Sequence, residues 1–145
     1  MNELNFKKAV SIYEIEFCYY IRKKVFCDEQ KISKDIEFDG LDNVCEHFLI
    51  TKNKEAIATA RVRKKENYIY KIERVSVLIS HRRNNVGTLL IREIVNKYKK
   101  IEKKNSLILH SQVTAENFYK SINFIPYGKQ FLEDGISHIA MRYLA

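Results

Sequence analysis

The chain has 145 residues, 46% of them hydrophobic, which suits one domain with a full core and excludes two large ones. No run approaches the ~20 consecutive apolar residues of a membrane-spanning helix, and the N-terminus MNELNFKKAV lacks a signal-peptide core, so a cytoplasmic protein without a membrane partner is expected. Twenty-six Lys and Arg against 18 Asp and Glu give +8, a surplus that suits a polyanion: nucleic acid, an anionic surface or a phosphorylated cofactor.

One proline and four glycines leave no linker, so residues 1–145 are expected to form a single continuous domain. A short strand is expected over 4–9. Ser11 followed by Glu14 has capping-box spacing, and Ile15, Cys18, Tyr19 and Val25 among charges predict a helix over 13–26. Residues 46–51, 55–63 and 68–78 are rich in β-branched and aromatic residues with polar breaks between them, which predicts three consecutive antiparallel strands. After the turn 81–85, Val86, Leu90, Ile94, Tyr98 and Ile101 recur at helical spacing as far as the basic stretch that ends at Lys104. A buried strand over 106–110, a short helix over 114–122, and two strand-like pieces around Phe124 and over 136–143 complete a mixed α/β order. A strand stands directly before each of the last two helices, and a ligand is expected where those strands end.

Chemistry concentrates in VSVLISHRRNNVGTLL, a strand that turns through basic residues into a helix. Such a turn aims unpaired backbone N–H groups and the positive helix end at one spot, with Arg82 and Arg83 adding full charge, which makes a phosphate cradle. It contains no GK(S/T) of a Walker loop, and of a dinucleotide fingerprint only Gly87 is present.

These residues resemble the GNAT superfamily of acyl-CoA-dependent N-acyltransferases. Arg82, Arg83, Asn84, Asn85, Val86 and Gly87 are similar to its pyrophosphate motif, Arg/Gln-x-x-Gly-x-Gly/Ala, with Asn85 in place of the first glycine. Asparagine is the side chain most at ease at positive φ after glycine, so the backbone turn is expected to survive the exchange. HSQVTAENFYKSINF resembles the family's later motif through Ala115, Phe118, Tyr119 and Phe124, and Asn123 again replaces a glycine. IRKKVFCDEQ and EFDGLDNVCEHFLI resemble the VFxxEQ and ExDxxDxxxxH patterns of a small bacterial ElaA-like branch, as do KIERVSVL and EDGISHIAM.

The resemblance implies a GNAT-like fold, an α+β arrangement with a central, mixed but mostly antiparallel sheet of about six to seven strands splayed into a V and flanked by helices. It implies an N-acetyltransferase in which an amine attacks the thioester of acetyl-CoA directly and CoA leaves. Val75, Ser76 and Val77 would offer backbone hydrogen bonds to the pantetheine arm, with one N–H available to the developing oxyanion. Arg82, Arg83, Asn84, Asn85, Val86, Gly87 and Thr88 would hold the pyrophosphate, and Gln112, Asn117 and Lys120 would line the cofactor's path. Tyr119 would protonate the departing thiolate, since a phenol near pKa ~10 is still protonated at neutral pH; the plainer alternative is that it only packs the fold.

The nucleophile must be neutral, and an alkylammonium of pKa ~10.4 costs roughly 4.6 kcal/mol to deprotonate at pH 7. Glu73 is a candidate base because strand alternation puts it on the side of Val75 and Val77; a strand-face ion pair is its alternative reading. Residues 28–46 carry seven carboxylates and two lysines, a net of −5 that would attract a cationic amine if it lined the acceptor pocket. Glu29, His47, Glu133 and His138 lie in the branch-specific stretches and are placed nearest the acceptor, a small-molecule amine, while His81 and His110 are read as local hydrogen-bonders.

No metal is expected. Asp35, Glu37, Asp39, Gly40 and Glu46 approach a calcium loop, but charged Asp42 and the strand-like EHFLIT break its pattern. Cys18, Cys27 and Cys45 show no disulfide or zinc spacing, and Cys27 is either a reactive thiol or a small apolar filler. The basic cluster near residue 100 comes without interleaved surface aromatics or a groove-binding motif, so no nucleic-acid partner is expected. A non-catalytic acyl-CoA sensor on the same fold is the alternative function, and an exposed C-terminal strand pair offers a route to a homodimer.

Overall fold

A computed structural model describes residues 3–101 and 105–144. Seven strands form one sheet: β1 (Leu4–Ala9), β2 (Glu46–Lys52), β3 (Glu55–Glu66), β4 (Ile69–Val77), β5 (Ser106–Gln112), β6 (Phe124–Glu133) and β7 (Ile136–Tyr143). Their spatial order is β1-β2-β3-β4-β5-β7-β6, and only β4 and β5 run parallel. The helices are α1 (Ile12–Arg22), α2 (Lys34–Glu37), α3 (Val86–Ile101) and α4 (Glu116–Lys120). The parallel pair needs a crossover, and α3 supplies it with an apolar stripe of Val86, Leu90, Ile91, Ile94, Val95 and Tyr98.

The core is split by the sheet. On one side α3 and α4 pack against Phe48, Ala58, Ala60, Val62, Ile72, Leu107, Leu109, Ile139 and Met141. On the other, Cys18 and Ile21 of α1 join Val25, Phe26, Ala9 and Leu49.

The expected capping box is present, with Glu14 N–H donating to Ser11 Oγ and Ser11 N–H to Glu14 Oε1. The helix predicted over 13–26 starts one residue earlier. At Lys23 it widens into a π-helix that runs to Glu29, a form that turns Val25 and Phe26 inward together. The helix predicted over 114–122 keeps α geometry only over Glu116–Lys120, after a tight turn at Val113–Ala115. The strand expected around Phe124 extends to Glu133 through a bulge at Gly128, and α2 is an addition capped by Ser33. The basic stretch predicted to close α3 at Lys104 lies outside the described residues beyond Ile101.

Two local features open the sheet. Pairing between β4 and β5 covers only Ile69–Ile72 and Ser106–Leu109, after which the strands part. On the other edge of β4 a bulge sits at Arg74, whose φ is 57°: Arg61 faces Glu73 and Thr59 faces Ser76, so three steps on β4 match two on β3.

Three carboxylates of the acidic stretch 28–46, Glu37, Asp39 and Asp42, are folded into a charge clasp, and of the seven only Glu37 lines the cleft where β4 and β5 part. Arg22 and Arg61 are almost completely buried, and Asp42 Oδ1 accepts from both, at 2.7 and 2.9 Å. Glu37 pairs with Arg22 and Arg74, and Asp39 with Arg61 and Arg74. Glu37 and Asp39 of the calcium-like pattern are thereby taken by guanidinium groups, Glu46 pairs with Lys8, and no cluster of three or more metal-type ligands occurs among the described residues.

Candidate active site

Where β4 and β5 separate, a cleft of about 530 Å³ passes from one side of the sheet to the other. Val25, Phe26 and Gln30 line it on the α1 side, Val86, Gly87, Phe118 and Tyr119 on the α3 side, and the opened arms of β4, β5 and β7 form its walls.

Its α3 end is an anion cradle. The first bond of α3 runs from Leu89 N–H to Asn85 C=O at 3.0 Å, which leaves the N–H groups of Val86, Gly87 and Thr88 without a backbone acceptor. The turn before it needs positive φ at Arg83 (66°) and Asn85 (61°), so Asn85 occupies the conformation for which the family uses glycine. Asn123 does the same with φ 70°. Gly87 is needed for closeness: a Cβ there would stand 3.2 Å from Phe118 Cζ.

The two arginines of the turn are not equivalent. Arg82 donates through Nε to Val77 C=O at 2.9 Å and through both terminal nitrogens to Glu29, each at 2.6 Å. Its guanidinium braces the π-helix against the end of β4, and the same bond lowers the Glu29 pKa. Arg83 has no protein partner among the described residues and is the exposed cation of the cradle.

Tyr119 lies in the wall of the cleft with its phenol free of any hydrogen bond among the described residues, and burial raises its pKa. Glu73 also lines the cleft, but the bulge breaks the expected alternation. Val75 and Val77 pack toward the α3-side core, whereas Glu73 lies with Arg63 (3.0 Å), Arg61 (3.3 Å) and Lys71 (3.3 Å). Burial alone would raise its pKa, yet the bond from Arg63 and the charges of Arg61 and Lys71 lower it. The ion-pair reading of Glu73 is therefore the one the structure displays.

Of the four residues expected nearest the acceptor, Glu133 and His138 line the cleft, whereas Glu29 does not and is locked to Arg82, which does. His47 is elsewhere: it is buried on β2 against Tyr19, with Nε2 2.8 Å from Asp42 C=O, because register with Arg61 places it inside the clasp. Gln112 lines the cleft and donates to Gln30 Oε1 at 2.8 Å, tying β5 to the end of the π-helix. Asn84, Asn117 and Lys120 do not line it, and Lys120 instead pairs with Glu116 along α4. Ser76 and Thr88 do line it.

His110, read from the sequence as a local hydrogen-bonder, instead bonds across strands inside the cleft. It lines the cleft and its Nδ1–H donates to Glu133 Oε1 at 3.0 Å. The signal was its position two residues before Gln112, which in a strand means the same face. Cys27 is partly buried with its pKa raised by burial, which disfavours the thiolate.

The GNAT acetyltransferase domain model matches residues 22–145. The uncharacterized N-acetyltransferase YjcF of Bacillus subtilis is 32% identical over 129 residues, covering 88% of this chain and 91% of that one. ElaA of Escherichia coli is 30% identical over 135 residues, 91% of this chain and 88% of its own. The crystal structure of that protein superposes with a TM-score of 0.83 over 99% of this chain and 100% of its own. An acyl-CoA N-acyltransferase from Pseudomonas aeruginosa, 23% identical, shares the fold with a TM-score of 0.85 over 99% and 100% of the two chains.

Proposed function

The chain belongs to the GNAT family of acetyltransferases, and we propose that it moves the acetyl group of acetyl-CoA directly onto a primary amine of a small molecule. The observation that carries the reading is the coincidence of an anion cradle, an unpaired strand edge and a free buried phenol in one cleft. Acetyl-CoA, the co-substrate of the family, supplies an activated acyl group and a thiolate leaving group.

The N–H groups of Val86, Gly87 and Thr88 hold the diphosphate, and Arg83 adds charge beside them. Beyond Ile72 the edge of β4 that faces β5 has lost its strand partner, so its backbone groups are open to the amides of the pantetheine arm. Tyr119 gives its proton to the leaving sulfur; burial keeps it protonated throughout the neutral range. Glu73 holds its charge too firmly to be an efficient base, because a lowered pKa weakens a proton acceptor.

The test has two arms on the full chain: calorimetric titration with acetyl-CoA, and chromatographic detection of CoA released over a panel of primary amines. Binding with amine-dependent release is expected. Binding without release to any amine would leave an acyl-CoA sensor, and absence of binding would overturn the reading.

A further inference from the structure

The end of the cleft away from the cradle contains a second constellation. Leu107, Leu109, Ile139 and Met141 face the α3-side core, so alternation along β5 and β7 turns His110, Gln112 and His138 toward the α1 side. Gln112 and His138 are register partners, and Glu133 enters from the end of β6.

Within this group the His138 ring is fixed. Its Nδ1–H donates to Ile136 C=O at 2.7 Å, which fixes the tautomer: in the neutral ring the proton is on Nδ1 and the lone pair on Nε2. The Phe131 ring stacks on it at 6.0 Å and meets His110 edge-on at 5.0 Å. Among the described residues Nε2 has no hydrogen-bond partner and is not sealed from solvent, so it opens on the cleft that His138 lines. The nearest charge is Glu133 Oε2 at 3.7 Å, while the other oxygen of that carboxylate is held by His110.

From this geometry we infer that His138 is the base that takes the proton from the acceptor amine, with Glu133 and His110 as its positioning residues. The inference rests on the acetyl-transfer reading and extends it to the acceptor side. The amine nitrogen bonds to the acetyl carbon and the carbon–sulfur bond breaks. An acceptor that arrives as an ammonium ion first loses one proton to His138 Nε2, which passes it to water, and the second N–H proton follows the same route once the nitrogen–carbon bond has formed. Sulfur takes the Tyr119 proton, which solvent replaces. Glu133 is positioned for the charge that appears on His138 only once the proton has moved. The other titratable groups facing the pair are His110 from β5 and Lys71 from β4, the latter also bound to Glu73. A carboxylate flanked by two imidazoles also selects acceptors that arrive as cations and disfavours anionic ones.

Two measurements test this. Diethyl pyrocarbonate acylates imidazole nitrogens that carry a free lone pair, so peptide mapping of the treated full chain should find His138 modified and its modification suppressed at least about fivefold by saturating acetyl-CoA. With the amine that gives most CoA release, His138→Gln should lower kcat about 100-fold at pH 7. Its calorimetric Kd for acetyl-CoA should stay within about twofold, and its rate should climb with pH toward the amine's own pKa. Glu133→Gln should lower kcat less and shift the pH profile. An unmodified His138, modification indifferent to acetyl-CoA, or a His138→Gln enzyme within about threefold of the parent would overturn the inference; so would activity and acetyl-CoA affinity falling together. If the parent binds acetyl-CoA but serves no amine, the transfer reading falls and the mapping alone decides whether His138 is a free cleft-facing base.

Discussion

Replacing Asp42 by alanine removes the carboxylate that two buried arginines share. Arg22 and Arg61 are each about 1% exposed, and Asp42 accepts from them at 2.7 and 2.9 Å. Glu37 still serves Arg22, and Asp39 and Glu73 still serve Arg61, so neither cation is stranded. Breaking one partner of a buried pair costs about 3–5 kcal/mol, and the remaining partners keep the expected value near the lower bound, about 3 kcal/mol. For a chain of this size that corresponds to a Tm lowered by roughly 6–12 °C, read by circular dichroism or calorimetry. The clasp lies on the α1 side of the sheet and the unpaired N–H groups at the start of α3 on the other. At a temperature where the variant is folded, its Kd for acetyl-CoA should therefore match the parent's. A loss below about 1 kcal/mol would refute the view that these carboxylates are structural.

Tyr119→Phe should lower kcat about 100-fold while leaving the calorimetric Kd for acetyl-CoA within about twofold, because the ring still packs and only the proton is lost. Arg83→Ala should weaken acetyl-CoA binding about five- to tenfold, with the difference shrinking as salt rises, whereas an arginine already committed elsewhere would show no such dependence. Acid should destabilise the chain through the clasp. Asp39 is held well below its ordinary pKa by the Arg61 hydrogen bond. Asp42 and Glu73 are held lower by Arg22 and Arg63 against the opposing effect of burial. Groups lowered in the folded state contribute their full stability above their unfolded values of 3.8 and 4.5 and lose it as pH falls through the folded ones. Glu37, raised by burial, acts in the opposite sense but is the only carboxylate of the clasp that does, so the urea midpoint should begin to drop as pH falls toward 4.5 and go on dropping below 3.8.

The order of elements was legible because hydrophobic periodicity carries it: the α3 stripe and the β-branched runs of β2–β4 depend only on local pattern. The cradle was legible for the same reason, being a strand, turn and helix contiguous in sequence. Asn85 and Asn123 at positive φ could be anticipated from the side chain alone. What failed depended on tertiary partners. Alternation put Glu73 beside Val75 and Val77, but one bulged residue at Arg74 turned it to the other face. The acidic run looked like an amine lure because the sequence does not reveal that Arg22 and Arg61 fold inward to meet it. His47 went to that clasp for the same reason. His110 was passed over because its partner Glu133 lies 23 residues away on another strand.

The start of α3 should grip the diphosphate of CoA through its main-chain amides, and backbone amide NMR during a CoA titration reads those amides one by one. The largest shifts are predicted at Arg83, Val86, Gly87 and Thr88, with a second group at Val75, Ser76 and Val77 along the open edge of β4. Shifts confined to other surfaces, or a spectrum unchanged at saturating CoA, would contradict it.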